Sequence, residues 1–187
     1  MCIRDSDSPN PLNVYGRTKW EGEEAIRQAG GPHVILRTSW VYSRHGANFP
    51  KTILRLAAER DRLNIVSDQR GCPTSAADIA ATILSIAQRL NGNAQPRHLG
   101  TFHYAGTPDT SWFDFAGAIV AQARNWAGLK AELHPIPSIS YPTPAQRPPN
   151  SRLDCTKLAN AYAIVPKSWR HSLELVLNQL KQDRGES

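Results

Sequence analysis

DSPNPLNVYGRTKWEGE (residues 7–23) is the stretch that decides the fold. It predicts a helix from about residue 12 to residue 28, closed by Gly30, Gly31 and Pro32, and the HVILRT segment behind it (33–38) predicts a short buried strand. Tyr15 and Lys19 stand four apart near the start of that helix, so both side chains leave the same face about one turn apart. That geometry suits proton transfer. A tyrosine ordinarily titrates near pH ~10, and a neighbouring ammonium favours the phenolate, moving the hydroxyl toward what a general acid or base needs near neutral pH. In a carbonyl reductase the phenol would give its proton to the oxygen as hydride reaches carbon. Taken alone, the pair is equally at home on an ordinary exposed helix face.

Outward from this helix the two hydrophobic periodicities alternate, which predicts an α/β protein without internal repeats. Residues 49–60 predict a helix with Ile53, Leu54, Leu56 and Ala57 on one side, and 63–66 a strand. The loop 68–74, with Gly71 and Pro73, leads into an Ala-rich helix over 75–89, and 101–105 returns as a strand. Asp109 or Thr110 is the expected cap of a helix over 112–127, whose Phe115, Ile119, Val120 and Ala123 fall at helical spacing and which Gly128 stops. After a strand at 131–136, the segment holding Pro137, Pro142, Pro144, Pro148 and Pro149 excludes a regular helix and is either a linker or an ordered loop laid over a site. Helices over 154–161 and 168–181 finish the chain, the last with a stripe of Leu173, Val176, Leu177 and Leu180.

Composition bounds the function. With 40% hydrophobic and 20% charged residues, the 187-residue chain is that of a folded protein with one core of ordinary size. Its net charge of +6 makes an anionic partner plausible, but the basic residues are scattered and match no nucleic-acid-binding pattern, so a phosphorylated small molecule fits better. The three cysteines, Cys2, Cys72 and Cys155, form no C-x-x-C pair, and the six histidines form no H-E-x-x-H or other cluster, so neither disulfides nor a metal site is expected. The apolar runs are far too short to cross a bilayer and no signal peptide opens the chain, which leaves a reducing cytosol as the expected compartment. A homodimer is compatible with these features and specified by none of them.

The 7–23 stretch resembles the active-site helix of the extended short-chain dehydrogenase/reductase superfamily. RTSWVY (37–42), GANF (46–49), DQRGCPT (68–74), YPTPA (141–145) and RPPNSRL (147–153) resemble the dTDP-4-dehydrorhamnose reductase family, in its order and spacing, so that the likeness runs from about residue 7 to about residue 181. The resemblance implies NADH- or NADPH-dependent reduction of the 4-keto group of dTDP-4-dehydro-L-rhamnose to dTDP-L-rhamnose. It makes Tyr15 the proton donor, Lys19 the holder of the nicotinamide ribose that also lowers the tyrosine pKa, and Trp40 the flank of the deoxysugar. Thr38 and Ser39 would lie at the carboxyl end of the strand, on the cofactor side, where ligands collect in open α/β sheets. Asn48 and Arg147, and less directly Gln69 and Arg152, are candidates for the diphosphate or the sugar hydroxyls, since an arginine fork suits phosphate.

The implied fold is the C-terminal part of a doubly wound, Rossmann-like parallel sheet with a smaller α+β substrate-binding lobe. Residues 7–62 and 75–104 are expected in the cofactor-binding domain, and 63–74 and 105–187 in the substrate lobe. The glycine-rich fingerprint that cradles the cofactor pyrophosphate is not among these residues, nor is the Ser or Thr that in the family precedes the tyrosine by more than a dozen positions. The expectation is therefore an N-terminally truncated chain with uncovered strand edges, unstable or self-associating, and with negligible turnover on its own. Two other functions share the pattern: an epimerase or dehydratase of another nucleotide sugar, and a non-catalytic binding partner like the regulatory subunit of methionine adenosyltransferase. Retention of both Tyr15 and Lys19 favours the enzyme.

Overall fold

The computed structural model describes residues 1–93 and 95–185. Helix α1 (Val14–Ala29) opens on Asn13, whose side-chain oxygen accepts from the Gly16 N–H at 2.8 Å, and closes on Gly30 at φ 73°, a conformation open to glycine without a Cβ penalty. Strand β1 (Val34–Arg37) follows directly, as the sequence predicts. Five further helices are α2 (Phe49–Glu59), α3 (Ala76–Asn93), α4 (Trp112–Ala123), α5 (Thr156–Tyr162) and α6 (Trp169–Asp183).

The strands pair mostly in parallel, as an α/β chain with helical crossovers requires. β1 runs beside β6 (Gly100–His103), with Val34 opposite Gly100 and Arg37 opposite His103. β2 (Val41–Tyr42) pairs with β5 (Thr74–Ser75), and β3 (Arg62–Val66) with β8 (Glu132–Ile136). β4 (Arg70–Gly71) lies between antiparallel β7 (Thr110–Ser111) and parallel β9 (Asn150–Ser151).

Two apolar cores result. The smaller, beside the β1–β6 pair, holds Ile86, Phe102, Tyr104, Leu158 and Tyr162. The larger gathers Ile53, Leu54 and Ala57 of α2, Phe115 and Ile119 of α4, and Trp169, Leu173 and Leu177 of α6. A division of the chain at residue 62 thus separates α2 from the helices against which it packs. No helix among the described residues is long and apolar enough to cross a membrane.

Several local expectations are corrected. The cap of α4 is Ser111, not Asp109 or Thr110: its hydroxyl accepts from the Asp114 N–H at 3.0 Å and donates to the Asp114 carboxylate at 2.7 Å. Thr110 is held in β7, and the Asp109 carboxylate is spent on Arg70 at 2.6 Å. α4 ends at Ala123 rather than near 127, and Ser75 belongs to β5 rather than to the helix after it. The proline-rich stretch is an ordered loop containing a 3-10 turn, Ser138–Ser140, which the Asp68 carboxylate pins by accepting from the Ser138 N–H at 2.9 Å and its hydroxyl at 3.0 Å.

His103 gives this fold a pH dependence. Its ring is 1% exposed and neither nitrogen has a hydrogen-bond partner among the described residues. Burial, reinforced by the Arg37 charge, outweighs the Asp5 carboxylate and the nearby Asp154 and Ile3 backbone, which favour the charged form without reaching good hydrogen-bond geometry, and holds its pKa below the ordinary value. From about pH 6.5 downward the unfolded chain therefore takes up a proton that the folded chain refuses. This stability is fully present above the ordinary value and is lost as pH falls through the depressed one. Urea midpoints are expected to fall between pH 7 and pH 5, and His103→Leu to flatten that slope; an unchanged slope in the variant would count against this origin.

Candidate active site

Tyr15 occupies the first turn of α1 and is 72% exposed, with the Lys19 ammonium nitrogen 5.5 Å from its ring centroid. None of the residues of α1 is fully buried, so the helix is fastened by polar contacts. The Glu23 carboxylate accepts from Arg37 Nε and Nη2 of β1 at 2.7 and 2.6 Å and from Arg27 Nη2 at 2.8 Å. Arg27 Nη2 also donates to Thr101 Oγ1 of β6 at 2.9 Å, and both guanidinium groups lie over the Trp20 ring, at 5.0 and 6.0 Å. Burial pushes the Glu23 carboxyl up, but the hydrogen bonds and charges of Arg37 and Arg27 outweigh it and leave the pKa below the ordinary value. This network fastens the C-terminal half of α1 to β1 and β6, one turn and more beyond Lys19.

The other end of α1 is tied to a cleft. While its oxygen caps the helix, Asn13 Nδ2 donates to the Gln146 carbonyl at 2.8 Å, in the proline-rich loop. That loop forms one wall of a cleft of about 990 Å³ whose other walls come from α2, β3 and the start of α4. Arg60, Arg62 and Arg147 supply positive charge there, Gln69 an amide, and Phe49 and Trp112 aromatic surface. No aspartate or glutamate is among the described lining residues. Three guanidinium groups and an aromatic wall are the chemistry that attracts an anion and stacks on a ring.

The structure sorts the sequence candidates. Arg147 and Gln69 line the cleft. Trp40 stands behind it, half-buried, with its indole stacked on Trp112 at a centroid distance of 3.5 Å and 9° between the planes. Thr38 is exposed at the end of β1, and the neighbouring Ser39 hydroxyl is buried without a hydrogen-bond partner among the described residues. Asn48 is engaged at both ends of its amide: the oxygen caps α2 through the Lys51 N–H at 3.3 Å, and the nitrogen donates to the Ser43 carbonyl at 2.7 Å. Arg152 donates to Asn150 Oδ1 at 2.9 Å and lies 3.6 Å from the Asp109 carboxylate. Sequence reasoning passed over Trp112, Arg60 and Arg62. Trp112 is the first residue of α4 and Arg60 and Arg62 flank a helix–strand junction, positions where no periodicity marks a side chain.

Comparison with known proteins follows the same lines. The family model of the RmlD substrate binding domain matches residues 2–182. A dTDP-4-dehydrorhamnose reductase of Sinorhizobium fredii is 45% identical over 168 residues, which are 90% of this chain and 57% of that protein. A solved structure of a dTDP-4-dehydrorhamnose reductase from Clostridium acetobutylicum superposes with a TM-score of 0.87 at 32% identity, covering 97% of this chain and 60% of the other. For the dTDP-4-dehydrorhamnose reductase of Bacillus anthracis, solved in complex with NADP, the TM-score is 0.80 at 30% identity, with 94% and 58% covered. This chain spans less than two thirds of each of the three.

Proposed function

The chain belongs to the RmlD substrate binding domain family, and from that membership we propose that it carries the proton-donating and substrate-binding part of a dTDP-4-dehydrorhamnose reductase. The reaction is reduction of the 4-keto group of dTDP-4-dehydro-L-rhamnose to give dTDP-L-rhamnose, with NADPH or NADH. One observation carries this assignment: Tyr15 and Lys19 share an open helix face, and the cap of that helix is hydrogen-bonded to the loop walling an acid-free, arginine-bearing cleft.

The residues present fit the nicotinamide–ribose end of the cofactor. Tyr15 and Lys19 are exposed side by side, and the Ser39 hydroxyl, without a hydrogen-bond partner among the described residues, lies with Thr38 at the carboxyl end of β1, where ligands gather in such sheets. When bound, the cofactor supplies hydride to the carbonyl carbon. Tyr15 gives its proton to the carbonyl oxygen, and the Lys19 ammonium stabilises the negative charge left on the phenol and donates to the ribose hydroxyls. Trp40 borders the deoxysugar, while Arg147, with Gln69 beside it, meets the diphosphate. Asn48 acts by shaping the 43–48 turn below the cleft. We assign α2, with residues 63–74 and 105–187, to the substrate lobe because it shares that lobe's core, and residues 7–42 and 75–104 to the cofactor side.

A chimera in which residues 7–181 replace the matching stretch of the Sinorhizobium fredii protein tests the assignment. Oxidation of NADPH dependent on dTDP-4-dehydro-L-rhamnose, with dTDP-L-rhamnose as product, is expected. A folded chimera that binds NADPH and produces no dTDP-L-rhamnose would contradict it.

A further inference from the structure

Trp40 has φ 45°, a left-handed backbone that bulky residues rarely adopt, so its surroundings must hold it there. Part of the hold is on the main chain. The Trp40 carbonyl accepts from the Thr74 N–H at 3.1 Å, and the Thr74 hydroxyl donates to the Cys72 carbonyl at 3.0 Å. The rest is on the ring. A methyl group on Gly71 would lie 2.3 Å from Trp40 Cε2 and 2.5 Å from its Nε1, so the indole rests directly on the Gly71 backbone. Trp112 stacks on the same indole at 3.5 Å and is itself backed by Phe49 at 4.6 Å.

One strand pair carries both jaws. Gly71 is in β4, directly opposite Thr110 of β7, and β7 runs through Ser111, the cap of α4, into Trp112. Spacing between the jaws is therefore set by main-chain pairing and a helix cap rather than by flexible side chains. Trp112 is also among the residues that line the cleft.

We propose that Gly71 and Trp112 form a clamp that sets the Trp40 indole, and that Trp112 is a positioning residue for the deoxysugar, acting through Trp40. The proposal rests on the reductase assignment, in which Trp40 borders the sugar. Its consequence is selective: disturbing the clamp alters recognition of the sugar and leaves recognition of the nucleotide alone.

The test uses the 187-residue chain with dTDP-L-rhamnose and dTDP as probes, and the variants Trp112→Leu, Trp112→Phe, Gly71→Ala, Trp40→Ala and Trp40→Ala/Trp112→Leu. Two stacked indoles give an exciton couplet in the far-ultraviolet circular dichroism when their transition dipoles are rotated relative to each other within the ring planes, and this signal reports the clamp without any ligand. The couplet is expected to vanish in Trp40→Ala and Trp112→Leu and to weaken in Gly71→Ala. In calorimetry, loss of an aromatic stack corresponds to about a tenfold drop in affinity for dTDP-L-rhamnose in Trp112→Leu, with dTDP changed less than about twofold. Trp112→Phe should restore most of the loss, and the double variant should be no weaker than Trp40→Ala alone. Equal loss for both probes, an additive double variant, or a couplet that survives Trp112→Leu would overturn the proposal. If the wild-type chain shows the couplet and binds neither probe, the reductase assignment falls and the sugar role with it, while the held ring geometry is still visible.

Discussion

Tyr15→Phe in the chimera is expected to lower kcat for dTDP-4-dehydro-L-rhamnose by about 100- to 10,000-fold, the range of a lost general acid. Binding of dTDP-L-rhamnose should stay within about twofold, because the phenyl ring remains and only the transferable proton is gone. The side chain is 72% exposed on a helix whose docking depends on Glu23, Arg27 and Arg37, so the melting temperature should not move. Rates and product analysis on the purified variant check this. A loss below about tenfold would mean that another group, or water, supplies the proton.

Trp169→Ala should produce the largest loss of stability. Trp169 is 1% exposed at the start of α6 and meets Phe115 edge-on at 5.3 Å. Its backbone joins three elements: the N–H donates to the Thr107 carbonyl at 3.0 Å, and its carbonyl accepts from the Tyr42 hydroxyl at 3.0 Å. Removing an aromatic side chain of this size from a packed core costs about 3–5 kcal/mol, through lost transfer energy and the cavity left behind. For a chain of this length that is a fall in Tm of roughly 6–20 °C. Trp169→Phe should cost much less, because it keeps most of the apolar volume and removes an indole N–H that is buried without a partner among the described residues. Equal losses for the two variants in thermal or urea melts would show that the indole nitrogen is satisfied after all.

The elements that could be read from the sequence are those fixed by local rules. α1 and β1 follow from a glycine stop and an apolar run, and α6 from a stripe of leucine and valine at helical spacing, whereas the Asn13 cap that starts α1 at Val14 rather than near residue 12 is seen only in the fold. The positions of Tyr15 and Lys19 follow from helix periodicity alone. What was not legible depends on partners far away in the chain. Glu23 belongs to the recognisable stretch, but its ties to Arg37 and, through Arg27, to Thr101 exist only once β1 and β6 are side by side.

The two-residue strands β4, β7 and β9 are too short to show a period, yet they place Gly71 under Trp40 and Ser111 before Trp112. Asn48 illustrates a residue type with two uses. Its residue type suits a sugar hydroxyl as well as a helix cap, and the fold uses it as the cap. In the proline-rich segment the prolines excluded a regular helix, but nothing local announced that Asp68, 70 positions away, would pin the Ser138 turn and so form one wall of the cleft.

Titration of dTDP-L-rhamnose into the purified 187-residue chain, by calorimetry and beside a melting curve, addresses the central claim most directly. Saturable binding is expected, weakened about tenfold in Trp40→Ala while that variant, less stable for want of its stack on Trp112, still melts cooperatively. A chain that melts cooperatively but takes up no dTDP-L-rhamnose would contradict the claim that this cleft is a nucleotide-sugar site.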